Sequence, residues 1–466
     1  MLELTGRTWP TPGGAPRRSF LKIGSLGIGA AGLGGLSLAD NMASRAAAAT
    51  NSVPQAKAAK PKKNDTAVIL FWMAGGPSQN DTFDPKPDAP EIVRGPFKAI
   101  DTAVPGMRFT DQLPQLAKIA DKLSIVRSLH HNLSVHDDAS HYVQTGAPLL
   151  FAREQGQKQP AQGSVVAHLR GATKPGVPPY VCIPEGYSSK KGFYQNAVYL
   201  GAGYNPVAGG GDPKYGNYKL PEFSLPAELT FERIGDRRSL TDSLNALARQ
   251  VDRDPTVAAL DDARRQAYDL VSGAAAREAF DLSREPEALR DRYGRHFWGQ
   301  SALLARRLVE AGSTFVTINL YEADVDWWDD HTTVEANLRK RLPRFDQSLA
   351  TLIADLHDRG LAERVVVAAF GEFGRSPKID AKGAGRGHWP GAMSALLSGG
   401  GLKSGQVVGS TTNDGGAPQD RPLGPGDLAA TIYRALGIDH EQFIYDRLKR
   451  PHRVLNEGAP IAELFG

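Results

Sequence analysis

The sequence predicts an α/β fold of three layers, with a mostly parallel central sheet and helices on both faces. Three observations lead there: short apolar runs of strand length, helical stretches between them, and Asp, Glu and His residues gathered just beyond several of the runs. Runs that are apolar throughout belong to strands buried on both faces, and strands that alternate with helices pair in parallel. With 466 residues, 41% of them hydrophobic, the chain is long enough to bury a substantial core. Its 50 glycines and 32 prolines mark it as rich in loops.

Residues 1–49 read as an export signal rather than as part of the fold. Arg17-Arg18-Ser19-Phe20-Leu21-Lys22 precedes a weakly apolar run, Ile23 to Ala39, and Ala46 to Ala49 supply small residues suited to cleavage. This is the pattern of a twin-arginine signal peptide. Gly27, Gly29 and Gly32 spell G-x-G-x-x-G inside it, but no buried strand comes before, so the dinucleotide reading is rejected. Residues 50–65 are lysine-rich and read as a flexible tether.

The mature body is expected to span 66–466. Ala67 to Met73 is the first apolar run and stops at Gly75-Gly76-Pro77; Leu123 to Leu129 is the second and Tyr180 to Ile183 the third. Thr314 to Leu320 follows a helix that ends at Gly312, and Arg364 to Phe370 follows the clearest helix in the chain. In that helix Leu338, Leu342, Phe345, Leu349, Leu352, Ile353 and Leu356 form one stripe at helical period, with Pro343 expected to bend it or to mark a late start. Residues 185–222 read as a long loop, and about 228–293 as a polar helical insertion.

Charge and cysteine content exclude several functions. The first 65 residues carry a net charge of +6, which leaves the body close to neutral at −2 of an overall +4. A body without a basic footprint is not expected to bind nucleic acid. Cys182 is the only cysteine, so no intramolecular disulfide forms. No apolar span of membrane length follows the signal, and no stable membrane insertion is expected after its removal.

Ligands of parallel sheets bind beyond the carboxyl ends of the strands. Asp81 and Asp84 follow the first run; His130, His131, His136, Asp137, Asp138 and His141 follow the second. Asp324, Asp326, Asp329, Asp330 and His331 follow the fourth, and Glu372, Arg375 and His388 follow the fifth. Carboxylates brought together repel and lose solvation unless a proton or a cation joins them. Carboxylate oxygen with imidazole nitrogen suits Zn²⁺, Mn²⁺ or iron. His130 and His131 adjoin on a strand end and point opposite ways, so one at most reaches a site. Asp81 and Asp84 serve equally well as turn caps, and Arg375 either clamps anionic oxygens or pairs with a local acid.

The runs GGPSQNDTFDPKPDAP (75–90), RSLHH with HDDASHYVQTG (127–146), YGRHFWGQSALLARRLVEAG (293–312), WWDDH (327–331), GEFGRSP (371–377), GRGHWPGAMSALLSGGGLKSGQVVG (385–409) and RPLGPGDLAATIYRALGID (421–439) together resemble the exported bacterial family known as domain of unknown function 1501. The resemblance covers nearly all of 66–440 and places the chain with the alkaline phosphatase and sulfatase superfamily. It implies an alkaline phosphatase-like domain over 66–466 and one or two divalent ions, Zn or Mn, at the strand ends. By position it implies Asp329, His331, Glu372 and His388 as ligands, with Asp81 standing in for an aspartate absent after Met73-Ala74-Gly75. Two departures stand out. Gly387 replaces the acidic residue that usually precedes the last histidine, and His136 stands where relatives carry a Ser, Thr or modified Cys nucleophile, nine residues before Thr145-Gly146.

A histidine at that position can ligate metal, accept a phosphoryl group, or act as acid or base. The expectation is therefore an exported metal-dependent hydrolase of small or polymer-bound phosphate or sulfate esters, in the periplasm or outside the cell. Metal-activated water replaces the missing side-chain nucleophile, and His136 and Arg375 serve catalysis. The alternative is a binding or scaffolding protein that kept the fold without the catalysis.

Overall fold

The computed structural model describes residues 65–149, 151, 156–184, 194–215, 218, 274–321, 327–446 and 450–466. The expected signal, nearly all of the expected tether, residues 228–273 of the expected insertion, and Asp324 and Asp326 lie outside them. Eight strands form the central sheet: β1 (Ala67–Trp72), β2 (Ser124–Leu129), β3 (Tyr180–Ile183), β4 (Val207–Ala208), β5 (Phe315–Asn319), β6 (Val365–Phe370), β7 (Met393–Ser398) and β8 (Gln406–Val408). Their order is β8-β2-β7-β6-β1-β5-β3-β4. Strand β7 runs antiparallel to β2 and β6. Every other pairing in this sheet is parallel, so the sheet is mostly parallel as expected.

All five apolar runs form strands. Strands β4, β7 and β8 were not anticipated: β4 and β8 are two and three residues long, too short to leave a periodicity. The apolar part of β7, MSALLS, is long enough but is embedded in a glycine-rich segment that reads as loop.

Five helices matter for the site and its support: α1 (His136–Thr145), α2 (Gln162–Leu169), α3 (Phe297–Ala311), α4 (Val334–Asp358) and α5 (Pro425–Ala435). The three layers follow from the two-residue period of a strand, which sends successive side chains to opposite faces. Ile69 and Phe71 of β1 join one core with Leu304 and Leu308 of α3 and Phe345 and Leu349 of α4. Val68, Leu70 and Trp72 join the other core with Val165 and Val166 of α2 and Leu428 and Ile432 of α5. A strand apolar at every position is the one element that can serve both cores.

Helix α4 begins nine residues before Pro343 and runs through it, so the late start is corrected. Its stripe of leucines is fully buried, and that packing outweighs the loss of one intrahelical hydrogen bond. Within the expected insertion, Ala274–Phe280 and Glu287–Tyr293 are helical.

Asp346 ties α4 to the layer beneath it. Its two oxygens accept the Gln115 and Leu116 N–H groups at 2.8 Å each, satisfying the first turn of the short helix Pro114–Lys118. Burial pushes the Asp346 carboxyl up to about 6, against the pull of those two hydrogen bonds. The folded state therefore holds this proton more tightly than the unfolded chain, and stability from this group is lost as pH rises from about 4 through 6. The difference in unfolding free energy between wild type and Asp346→Asn should shift against wild type by up to about 3 kcal/mol across that window. Urea titrations at both ends of the window measure it, and parallel pH profiles for the two proteins would contradict it.

Candidate metal centre

The centre forms where three strands end on the same edge. Strand β1 ends at Trp72, and the Trp328 N–H donates to the Ala74 carbonyl at 2.9 Å, docking the segment 327–331 on that end. Gly75 permits the approach. Its φ is +108°, and a Cβ there would stand 2.6 Å from the Asp329 nitrogen. Strand β6 ends at Phe370, which puts Glu372 beside Gly75, and the Gly75 N–H donates to Glu372 Oε1 at 2.8 Å. Beyond β2, helix α1 opens at His136. A two-residue ribbon then pairs His388 with Arg375 and Trp389 with Gly374, folding His388 back over the strand ends.

His136, Asp329 and His388 each offer a ligand atom within 4.8 Å of the others. His136 Nε2 faces Asp329 Oδ2 at 3.3 Å. On the other oxygen, Asp329 Oδ1 lies 3.2 Å from His388 Nε2 and 3.0 Å from His331 Nε2. The two Nε2 atoms are 2.9 Å apart. Ligands tetrahedrally placed at about 2.0–2.1 Å from zinc stand roughly 3.3 Å from one another, so these separations suit a cation. His388 Nδ1 donates to the Ser134 carbonyl at 2.8 Å, which leaves Nε2 of the neutral ring with its lone pair toward Asp329.

Two buried atoms at the centre have no hydrogen-bond partner: His136 Nε2 and Glu372 Oε2. Unpaired buried polar atoms are rare, and a cluster of lone pairs around a carboxylate is a donor set that a divalent cation satisfies. The residues present fit such an ion.

Burial disfavours charge on Asp329, yet the neighbouring His136, His388 and Arg375 guanidinium outweigh it and hold the carboxyl well below the usual carboxylate range. Burial likewise lowers His136, but the Asp329 and Glu372 carboxylates override it and push the imidazole up to about 9. His331 is held below its ordinary value by desolvation and by its neighbours Arg375, His388 and His136, against the pull of Asp329.

The residues named from sequence separate into those that meet and those that do not. His136, Asp329, His331, Glu372 and His388 converge. Glu372 reaches the cluster through His136, whose Nδ1 lies 2.6 Å from Glu372 Oε1. Asp81 takes no part: it is fully buried and paired at both oxygens with Arg386, at 2.7 and 3.2 Å, and it accepts the Ser78 hydroxyl. Asp84 pairs with Lys86 and accepts the Thr411 hydroxyl. Asp330 turns to Arg341 at 2.7 Å, so of the adjacent aspartates Asp329 alone faces the cluster.

Arg375 is buried, and its donors meet the carbonyls of Gly75, Gly76 and Arg386 and Asp329 Oδ1 at 2.6 Å. Its contacts hold Asp329 in place; they are not those of a clamp open to substrate. His131 donates from Nε2 to the Glu372 carbonyl and accepts the Leu133 N–H at Nδ1, which fixes a neutral ring. That backbone anchor, like the Ser134 carbonyl and the Gly75 N–H, carries no side-chain signature that a sequence displays. Phe373 packs against the His136 and His388 rings, at 5.0 and 4.7 Å between centroids. At Gly387 a Cβ would meet nothing within 4 Å, so the absent acidic side chain leaves open space.

A three-layer fold with this cluster of acids and histidines at one edge of its sheet defines the class of the chain, an α/β protein with a candidate metal centre. The chain belongs to the family described as Protein of unknown function (DUF1501), whose model matches residues 65–465. None of the curated proteins matches it. Among solved structures it is similar to the lipoteichoic acid synthase LtaP from Listeria monocytogenes, at 12% identity and a TM-score of 0.34 over 90% of this chain and 81% of that one. It is also similar to the PsFucS1 sulfatase from Pseudoalteromonas sp., at 14% identity and 0.33 over 81% and 68%. The phosphonate monoester hydrolase SpPMH from Silicibacter pomeroyi shows 11% identity and 0.29 over 86% and 76%.

Because Arg375 serves three carbonyls and Asp329 together, Arg375→Met should destabilise the fold by about 2–4 kcal/mol through unpaired buried acceptors. Arg375→Lys, a point charge without the fork, should recover only part of the loss. Denaturant unfolding of both variants checks this, and wild-type stability in Arg375→Met would show the contacts to be incidental.

Proposed function

We propose that the protein is an exported hydrolase of phosphate or sulfate esters that depends on a divalent cation, Zn²⁺ or Mn²⁺, as one or two ions. The observation that carries the reading is the meeting of His136, Asp329 and His388 from three distant parts of the chain with their ligand atoms within 4.8 Å. His331 Nε2 stands at the rim as a further donor, half exposed. When bound, the cation supplies Lewis-acid polarisation and lowers the pKa of coordinated water from 15.7 to about 7.

The chain's own residues then divide the work. Asp329 supplies negative charge and is held by Arg375 from behind. His388 is oriented by the Ser134 carbonyl, and His136 by Glu372. His136, lying between Asp329 and Glu372, fills the position where relatives carry an oxygen or sulfur nucleophile, which leaves attack to water. The rim at His331 and Asp329 is open to solvent, and the substrate is taken to be an anionic ester, free or attached to a polymer.

The twin-arginine segment at residues 17–22 supports export to the periplasm or beyond. No helix among the described residues is long and apolar enough to cross a membrane. The near-neutral body supports a reading without nucleic acid as a partner.

His136 at the nucleophile position and Gly387 before His388 also favour a second reading, a binding protein that holds the ion without turnover. One experiment separates the two. Purified protein should carry tightly bound Zn or Mn and hydrolyse members of a panel of aryl phosphates and aryl sulfates. His388→Ala and Asp329→Asn should each lower metal affinity by at least about tenfold and abolish turnover. Retained metal with no turnover anywhere on the panel would favour the binding protein, and wild type that takes up neither ion would overturn both readings.

Chelation of the loaded protein should also lower its melting temperature, because an ion that binds only the folded state stabilises it. Thermal scans with and without chelator check this, and identical transitions would count against a held ion.

A further inference from the structure

Glu372 has the composition of a ligand and the position of something else. Its Oε1 is 2.6 Å from His136 Nδ1 and also accepts the Gly75 N–H at 2.8 Å. Its Oε2 is buried without a partner. A carboxylate can only accept, so the shared proton sits on His136 Nδ1. The neutral ring then presents a lone pair at Nε2, the atom that faces Asp329 at 3.3 Å and has no hydrogen bond of its own. The other histidine of the cluster is set the same way by a backbone carbonyl, that of Ser134. Two rings on different segments therefore turn the same nitrogen toward one carboxylate, each because an outer acceptor claims the opposite nitrogen.

We propose that Glu372 is a positioning residue and not a ligand: it fixes His136 in the Nδ1–H tautomer, so that Nε2 is the nitrogen offered to a divalent cation. The inference rests on the metal-binding part of the reading above. It assigns the carboxylate to the outer side of the imidazole, where such partners raise ligand basicity and hold ring orientation.

The Oε1 contacts make a sharp distinction between two substitutions. In Glu372→Gln the amide oxygen can occupy the place of Oε1 and still accept both N–H groups, while the place of Oε2 is taken by an NH₂ that cannot ligate. In Glu372→Ala both acceptor contacts are gone. Zinc affinity, measured by competition with a chromophoric chelator, should fall by less than about tenfold in Glu372→Gln and by about a hundredfold in Glu372→Ala. Nitrogen NMR of the histidine rings should show His136 as the Nδ1–H tautomer in wild type and Glu372→Gln, and a mixture in Glu372→Ala, with His388 unchanged in all three. Circular dichroism on each variant confirms that the fold is kept.

If Glu372→Gln loses zinc as severely as Glu372→Ala, Oε2 is a ligand and the inference is overturned. A wild-type protein that takes up no zinc removes the metal reading instead. In that case the tautomer of the neutral His136 ring in the ion-free protein still decides the role of Glu372: an Nε2–H ring there would sink it.

Discussion

The centre depends on one carboxylate that more groups approach than its charge can serve. Asp329 Oδ1 receives Arg375 and lies within 3.2 Å of His331 and His388, while Oδ2 faces His136. Lone pairs crowded this closely repel unless positive charge lies among them. Arg375 supplies part of that charge from the buried side, and the solvent side is where a cation would supply the rest. Placing an aspartate at this point requires the 327–331 segment to lie against the end of β1 at a distance that only a glycine at position 75 allows.

The sheet makes this placement possible. Strand β1 is central, paired in parallel with β5 on one side and β6 on the other, so the segments that follow these three strands emerge side by side on one edge. Gly75 and Glu372, 297 positions apart, become neighbours, and Asp329 joins them, because the strands they follow are neighbours. The ribbon that carries His388 is short, yet it is anchored by backbone pairing with Arg375, the same residue that holds Asp329. Orientation of the imidazoles comes from a further layer of partners, Glu372 and the Ser134 carbonyl, which touch the rings on the side away from Asp329.

Much of this was legible in the chain. Runs such as AVILFW and VVVAAF are apolar at every position, and only a strand covered on both faces accounts for that, so the layer architecture could be read directly. The candidate ligands could be read too, because acids and histidines stood just past the runs. The reading failed where two residues looked alike locally. Asp81 and Asp329 both follow strand ends, but Asp81 is claimed by Arg386, 305 positions away, and a fully buried pair of that kind leaves no signal near Asp81. For Arg375 the chain left two roles open, a clamp on anionic oxygens or a pair with a local acid; it pairs with Asp329, and the carbonyls that absorb its other donors are backbone atoms with no residue identity.

By itself the sequence determined the layers, the edge on which chemistry would gather, and the family to which the chain belongs. Burial is set by local apolarity, and strand ends are set by where it stops, so both are written along the chain. Only the tertiary structure decided which carboxylate stays available, which nitrogen of each histidine faces inward, and that Glu372 stands behind His136. Those outcomes turn on hydrogen bonds to partners hundreds of residues away or to main-chain groups, and such bonds exist only once the strands have been laid side by side.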